Sequence, residues 1–396
     1  MTSLLPHRIG RDLHQPRVAG APIGEPSLET WQDAPHNRWA FAHVAEFVPT
    51  APIARRPSID EQHDGPGLSA LRDTLPDLEE RLEQSFTDAL VVVRGGEVVA
   101  DFYRDGFGPT APHLLMSVSK SICGLTVGTL VDDGLLDPSR RVDHYVPALA
   151  GSAYGDATLQ QVLDMTVDVD YDEDYRNPAS HVQAQDRVAG WRPRLAGDPV
   201  DTYAFLPTLR GGGRHGERFS YCSAGTDVLA WVVENVTGGR YAEAVSERLW
   251  SRLGCEHDAS ITIDPGGFGF ANGGISCTAR DLARVGELML GDGAIDGRRV
   301  VSPDWVLRTL TGGDPAAASG TVFQRVHPGG SYSNQWWLTG SERGEYYAVG
   351  IHGQFIWVDP ATQTVVAKFS SWPEPVTERW NRLHAELFRD ICDATH

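Results

Sequence analysis

Met116-Ser117-Val118-Ser119-Lys120-Ser121 is a Ser-x-x-Lys at the opening of an apolar segment. From Ser121 to Leu136 the only charges are Asp132 and Asp133, just before Gly134. Such a run reads as a buried helix. Gly124 and Gly128 stand one turn apart on it, where another chain segment could approach closely. Positions i and i+3 of a helix share a face, so the Ser117 hydroxyl and the Lys120 amine are expected side by side. Both belong to the first turn, where free N–H groups and the helix dipole favour negative charge. A serine there can become an alkoxide, with the lysine taking its proton.

The distribution of basic residues sharpens this. Of 34 lysines and arginines, only Lys120 and Lys368 are lysine. Arginine keeps its proton in a protein, whereas a desolvated lysine shifts its pKa readily. A chain that uses arginine almost throughout retains lysine one turn from this serine.

At 396 residues, with 41% hydrophobic and 22% charged content, the chain has the composition of a globular protein able to bury a large core. A formal net charge of −19 argues against nucleic acid and anionic membranes as partners. The five cysteines (Cys123, Cys222, Cys255, Cys277 and Cys392) are odd in number and unclustered. Free thiols in a reducing compartment are expected. The first residues lack the apolar stretch of a signal peptide, and no run reaches membrane-spanning length. These features predict a cytoplasmic protein.

Residues 1–65 are proline-rich and read as an extended arm, anchored by Trp31, Trp39 and Phe41. A short helix is expected within 68–85, interrupted at Pro76. Residues 88–93 and 98–103 flank Gly95-Gly96 as a hairpin. From 141 to 270 strand-like runs become rare, and the stretch reads as a mainly helical insertion. Thr278 with Asp281, and Ser302-Pro303, mark two helix starts. Residues 346–350, 355–358 and 364–370 are strand-like, and a helix covers about 376–393. Strands at both ends with helices between predict a sheet whose halves are distant in sequence. The expected organisation is an α/β domain from 1–140 and 271–396, interrupted by an inserted helical domain at 141–270.

Two further motifs stand out. Tyr221-Cys222-Ser223 follows the Gly211-Gly212-Gly213 loop and precedes a helix, where a tyrosine can aim its phenol into a cleft. Gly350-Ile351-His352-Gly353-Gln354 lies between two apolar strands, where a strand edge can offer an N–H to an oxyanion. Other chemistries fail on inspection. There is no Gly-x-Ser-x-Gly elbow. The Asp168-Val169-Asp170-Tyr171-Asp172 run lacks the glycine and glutamate of a calcium loop. No zinc-ligand spacing or phosphate-binding loop is present, so no metal or cofactor is expected.

Ser117-x-x-Lys120, Tyr221-x-Ser223 and His352-Gly353, in this order, resemble the penicillin-recognising serine hydrolases. That group includes class C β-lactamases, D-alanyl-D-alanine carboxypeptidases and related esterases. Pro35-His36-Asn37-Arg38-Trp39-Ala40-Phe41, Phe268-Gly269-Phe270-Ala271-Asn272-Gly273-Gly274, Gln335-Trp336-Trp337 and Ile351-His352-Gly353-Gln354 draw the likeness toward the branch that degrades nylon oligomers.

The resemblance implies a β-lactamase-like α/β fold with an antiparallel sheet flanked by helices. It implies Ser117 as nucleophile, Lys120 as its activating amine and Tyr221 as the phenol that protonates the leaving amine. The backbone N–H groups of Ser117 and Ile351 would form the oxyanion hole. Tyr175, Asp186, Ser223, Asn272, Trp337 and His352 would contact substrate, Asp186 by pairing with a substrate ammonium. The implied activity is hydrolysis of short linear ω-amino-acid amides, with esters as a side reaction, by a homodimer. Whether Lys120 or Tyr221 is the general base stays open. So do three alternatives: a carboxylesterase, a D-amino-acid peptidase or β-lactamase, and a sensor that is acylated without turnover. Ile351-His352-Gly353 replaces the Lys-Thr-Gly of the lactamases, which weakens the case for a β-lactam carboxylate.

Overall fold

The computed structural model describes residues 26–56 and 65–396. Most of the expected arm, 1–25 and 57–64, lies outside them. The strands in chain order are β1 (Thr50–Ile53), β2 (Thr87–Arg94), β3 (Glu97–Tyr103), β4 (His113–Leu114), β5 (Ala259–Thr262), β6 (Ile275–Cys277) and β7 (Ala294–Ile295). They continue with β8 (Arg298–Arg299), β9 (Ser331–Ser333), β10 (Trp336–Leu338), β11 (Tyr346–Gly350), β12 (Gln354–Asp359) and β13 (Thr364–Ser370).

Seven strands form the main sheet, in the order β3-β2-β13-β12-β11-β10-β9. The expected hairpin is present, with Gly95 and Gly96 at φ 60° and 87°, the backbone a tight turn of this hand requires. β2 then pairs antiparallel with β13, Val92 opposite Val366, which joins the two ends of the chain. Every residue of β13 is buried, as expected of a central strand covered on both faces.

Helices cover both faces. Ala279–Leu290 packs on one face, where Gly286 lies against Val365 and Ile356. Thr278 caps it by accepting from the Asp281 N–H. On the other face Glu378–Ala394 and Leu78–Gln84 cover Leu90, Val92, Trp357 and Val366.

The Ser-x-x-Lys helix runs from Val118 to Asp132 and is buried from Val118 to Leu130. Its glycines permit close approach: a Cβ on Gly124 would lie 2.4 Å from the Asn334 carbonyl, and one on Gly128 2.5 Å from the Trp305 indole. Beside it stands the helix Ser223–Thr237, ended by Gly238 at φ 73°.

One expectation needs correction. The described part of the arm is not merely extended: it forms a short helix, Asn37–Ala40, and strand β1. Trp31, Trp39 and Phe41 are buried, as expected of anchors. Within 141–270, where strand-like runs are expected to be rare, β5 is the one strand among the described residues. β5 pairs with both β1 and β6 in a second, four-stranded sheet of order β1-β5-β6-β4. These strands have two to four residues each, too short for alternation to register in the sequence. β4 ends at Leu114, so the second sheet leads straight into Ser117.

Candidate active site

Ser117 is the N-cap residue of its helix, and Lys120 lies one turn on. The Lys120 Nζ donates to the Ser117 Oγ (2.9 Å) and to the Asn272 carbonyl (2.8 Å). Tyr221 closes the group, with the Lys120 Nζ 5.2 Å from its ring centroid. Its phenol interacts with the Ser117 hydroxyl.

The electrostatics divide the roles. Burial pulls the Lys120 amine down to about 8, against the opposing pull of Glu173, Asp227, Cys222 and Asp186. Burial, with the charge of Glu173 beside it, pushes the Tyr221 phenol well above its ordinary value. Lys120 is therefore a neutral amine above about 8, and Tyr221 a phenol holding its proton.

Ile351 follows the end of β11. This strand is interior, between β10 and β12, rather than at the sheet edge. Its pairing with β10 stops at Trp337 opposite Tyr347, so the stretch that follows turns to the Ser117 backbone instead. A Cβ on Gly350 would lie 2.5 Å from the Leu115 carbonyl and 3.0 Å from the Ser117 nitrogen. Glycine is required for that approach. Among the described residues nothing accepts from the N–H of Ser117 or of Ile351. Met116, just before Ser117, has φ 48°, and His352, just after Ile351, has φ 62°. Such left-handed backbone in bulky residues is strain of the kind held at functional sites.

Ser117, Tyr221, Ile351, Tyr175 and Trp337 line one cavity of about 520 Å³. Its walls are mainly apolar, with Phe219, Phe323, Val326 and Val349. Trp337 stacks on Tyr221, the ring centroids 5.7 Å apart and the planes within 17°.

Four expected contact residues do not line this cavity. Asp186 is buried, and Arg192 donates to it through Nε (3.2 Å). Burial nevertheless lifts its carboxyl to about 6. The Ser223 hydroxyl donates to Glu173. Asn272 works from behind: its carbonyl receives Lys120, and its side-chain amide donates to Asp227 (2.8 Å). His352 is buried, its Nδ1 2.7 Å from the Trp372 carbonyl, and it borders a separate polar hollow.

Two acidic residues escaped the sequence reading. Glu173 accepts from the Tyr175 hydroxyl (2.6 Å) and from the Ser223 N–H (3.0 Å). Asp227 is wholly buried and accepts from Gln185, from the Asn272 N–H and from the Asn272 side chain. Burial raises its carboxyl to about 7. The helix gave no sign of Asp227, which shares the polar stripe with Glu234 seven residues on.

This arrangement can perform acyl transfer, with a serine next to a neutral amine, a protonated phenol and two free N–H groups. Comparison with known proteins agrees. The family described as Beta-lactamase matches residues 77–388.

The chain belongs to the beta-lactamase family.

Within that family it is 55% identical over 381 residues to the 6-aminohexanoate-dimer hydrolase of Paenarthrobacter ureafaciens, covering 96% of this chain and 97% of that one. Among solved structures it is similar to a Bacillus anthracis protein provisionally named as a 6-aminohexanoate-dimer hydrolase. There the TM-score is 0.83 and the identity 29%, over 92% of this chain and 96% of that one. The beta-lactamase fold also relates it to EstCE1, a hydrolase with promiscuous acyltransferase activity, at TM-score 0.64 and 14% identity. That match covers 82% of this chain and 98% of the other. Among the described residues no helix is long and apolar enough to cross a membrane.

Proposed function

We propose that this chain is a serine amidohydrolase that cleaves the amide bond of short linear 6-aminohexanoate oligomers, the dimer above all, with ester hydrolysis as a side activity. The observation that carries the chemistry is the Lys120 amine, buried and 2.9 Å from the Ser117 hydroxyl. The 55% identity to a 6-aminohexanoate-dimer hydrolase over nearly the whole chain supports the substrate. The apolar cavity suits a polymethylene chain.

The reaction has two halves. The Ser117 oxygen attacks the amide carbonyl carbon as its proton passes to neutral Lys120. The oxyanion is held by the N–H groups of Ser117 and Ile351, each worth about 3 kcal/mol in the transition state. Tyr221 donates its proton to the departing nitrogen and is reprotonated through Lys120. The amine leaves, and an ester joins Ser117 to the acyl half. Water then attacks that ester, Lys120 taking its proton and passing it to the Ser117 oxygen as the acyl bond breaks, and the acid departs. No metal or cofactor enters. The only partner in this reading is the small amide or ester, and the enzyme works in the cytoplasm as a homodimer. All five cysteines are free and buried, which suits a reducing compartment.

Hydrolysis of the linear dimer and of p-nitrophenyl acetate by wild type and Asp186→Gly tests the substrate. Loss of amide turnover with ester turnover kept supports an amide-selective role for Asp186. Ester cleavage alone in wild type would make the protein a carboxylesterase. Equal retention of both activities in the variant would remove Asp186 from the account and leave the serine chemistry standing.

A further inference from the structure

Glu173 lies in the 167–175 segment, which has no regular secondary structure. Its carboxylate joins three elements. One oxygen accepts from the Tyr175 hydroxyl (2.6 Å) and from the Ser223 hydroxyl, and the other accepts from the Ser223 N–H (3.0 Å). Ser223 is the first residue of the helix that follows Tyr221, so the same carboxylate fixes where that helix starts. Tyr175, its other partner, lines the cavity together with Ser117 and Tyr221.

We propose that Glu173 is a positioning residue of the acyl-transfer site: it ties the Tyr175 segment to the start of the helix that follows Tyr221 and places a carboxylate in the cluster that faces Lys120. The inference rests on the reading of Lys120 as general base.

Lys120 is faced from every side. Its own helix supplies Ser117 and Cys123, the neighbouring helix supplies Asp227, and the residues just before that helix supply Tyr221 and Cys222. The His181–Val188 helix brings Asp186, and the loop before β6 brings the Asn272 carbonyl. Asp227 and Asp186 are each spoken for, by Asn272 with Gln185 and by Arg192. Glu173 is one of the opposing charges on Lys120, and it also bears on Tyr221, Tyr175 and Cys222. A negative charge favours the ammonium form of Lys120, while burial favours the amine. Glu173 therefore offsets burial, so that the amine can be reprotonated in each cycle and hand its proton on.

The test exploits the chain's two lysines. Protein labelled with [13Cε]lysine gives two signals, and Lys120→Met assigns them. The Lys120 titration is followed in wild type, Glu173→Gln and Tyr175→Phe. Glu173→Gln keeps the shape and removes the charge, so the Lys120 midpoint should fall by about half a pH unit or more. Tyr175→Phe removes one hydrogen bond and keeps the charge, so the midpoint should stay in place. A Glu173→Gln midpoint that is unchanged or higher overturns the proposal, as does an equal fall in Tyr175→Phe. Glu173→Ala gives the same readout if the Gln variant does not fold. The titration needs no turnover, so it is decided separately from the substrate assignment. In a p-nitrophenyl acetate assay the rising limb of kcat/KM should move to lower pH by the same amount.

Discussion

The Lys120 amine lies 2.9 Å from the Ser117 hydroxyl, and among the described residues no carboxylate is within ion-pair distance of it. A buried lysine without an ion pair is costly as an ammonium, and the cost falls when it sheds its proton. The site places that amine against the Ser117 hydroxyl.

Lys120→Arg should remove activity. Guanidinium keeps its proton, so it can hold a charge but not accept a proton. A fall in kcat/KM of about 10³-fold or more is expected, with a cooperative melt retained. Steady-state kinetics beside thermal unfolding checks this.

In wild type, kcat/KM should rise with pH and level off above about 8, where burial has set the Lys120 amine. Base strength requires the neutral form, so activity falls as pH drops through that value. The Tyr221 phenol, pushed above its ordinary range, should add no falling limb near neutrality. A pH–rate profile with a neutral ester reads both.

Asp227 gives a stability prediction of opposite sign to ordinary acid denaturation. Its carboxyl is raised from 3.8 to about 7 in the fold. Between these values the folded chain holds a proton that the unfolded chain has lost. Wild type should therefore gain stability relative to Asp227→Asn as pH falls from about 7 to about 4, by about 4 kcal/mol at most. Urea unfolding of both proteins across that window measures the difference.

Gly350→Ala should damage catalysis without touching a reacting side chain. The added methyl would meet the Leu115 carbonyl at 2.5 Å and the Ser117 nitrogen at 3.0 Å. Relief of that clash parts Ile351 from Ser117. A fall in kcat of about 10²-fold is expected, near the loss of one oxyanion donor. Retained KM for the same substrate would show that binding survives.

The parts of this fold legible in the sequence are those with a local signature. The Gly95-Gly96 turn, the Thr278 and Ser302 caps and the run of β13 each declare themselves over a few residues. The Ser117–Lys120 pair is legible because both partners sit within one helical turn. The second sheet is not, since its strands have two to four residues each, and β1 and β4 find their partners only across long separations. Glu173 and Asp227 were hidden for the same reason. Their partners Ser223 and Asn272 are 50 and 45 residues away. Pairing of Asp186 with Arg192, six residues on, is equally silent until the chain turns back on itself.

The most direct measurement is amine release from the 6-aminohexanoate linear dimer by wild type and by Ser117→Ala, both shown to be folded. The account predicts multiple turnovers in wild type and none above background in the variant. Equal turnover by the two would contradict it, since no other group in the site is placed to form the acyl-enzyme.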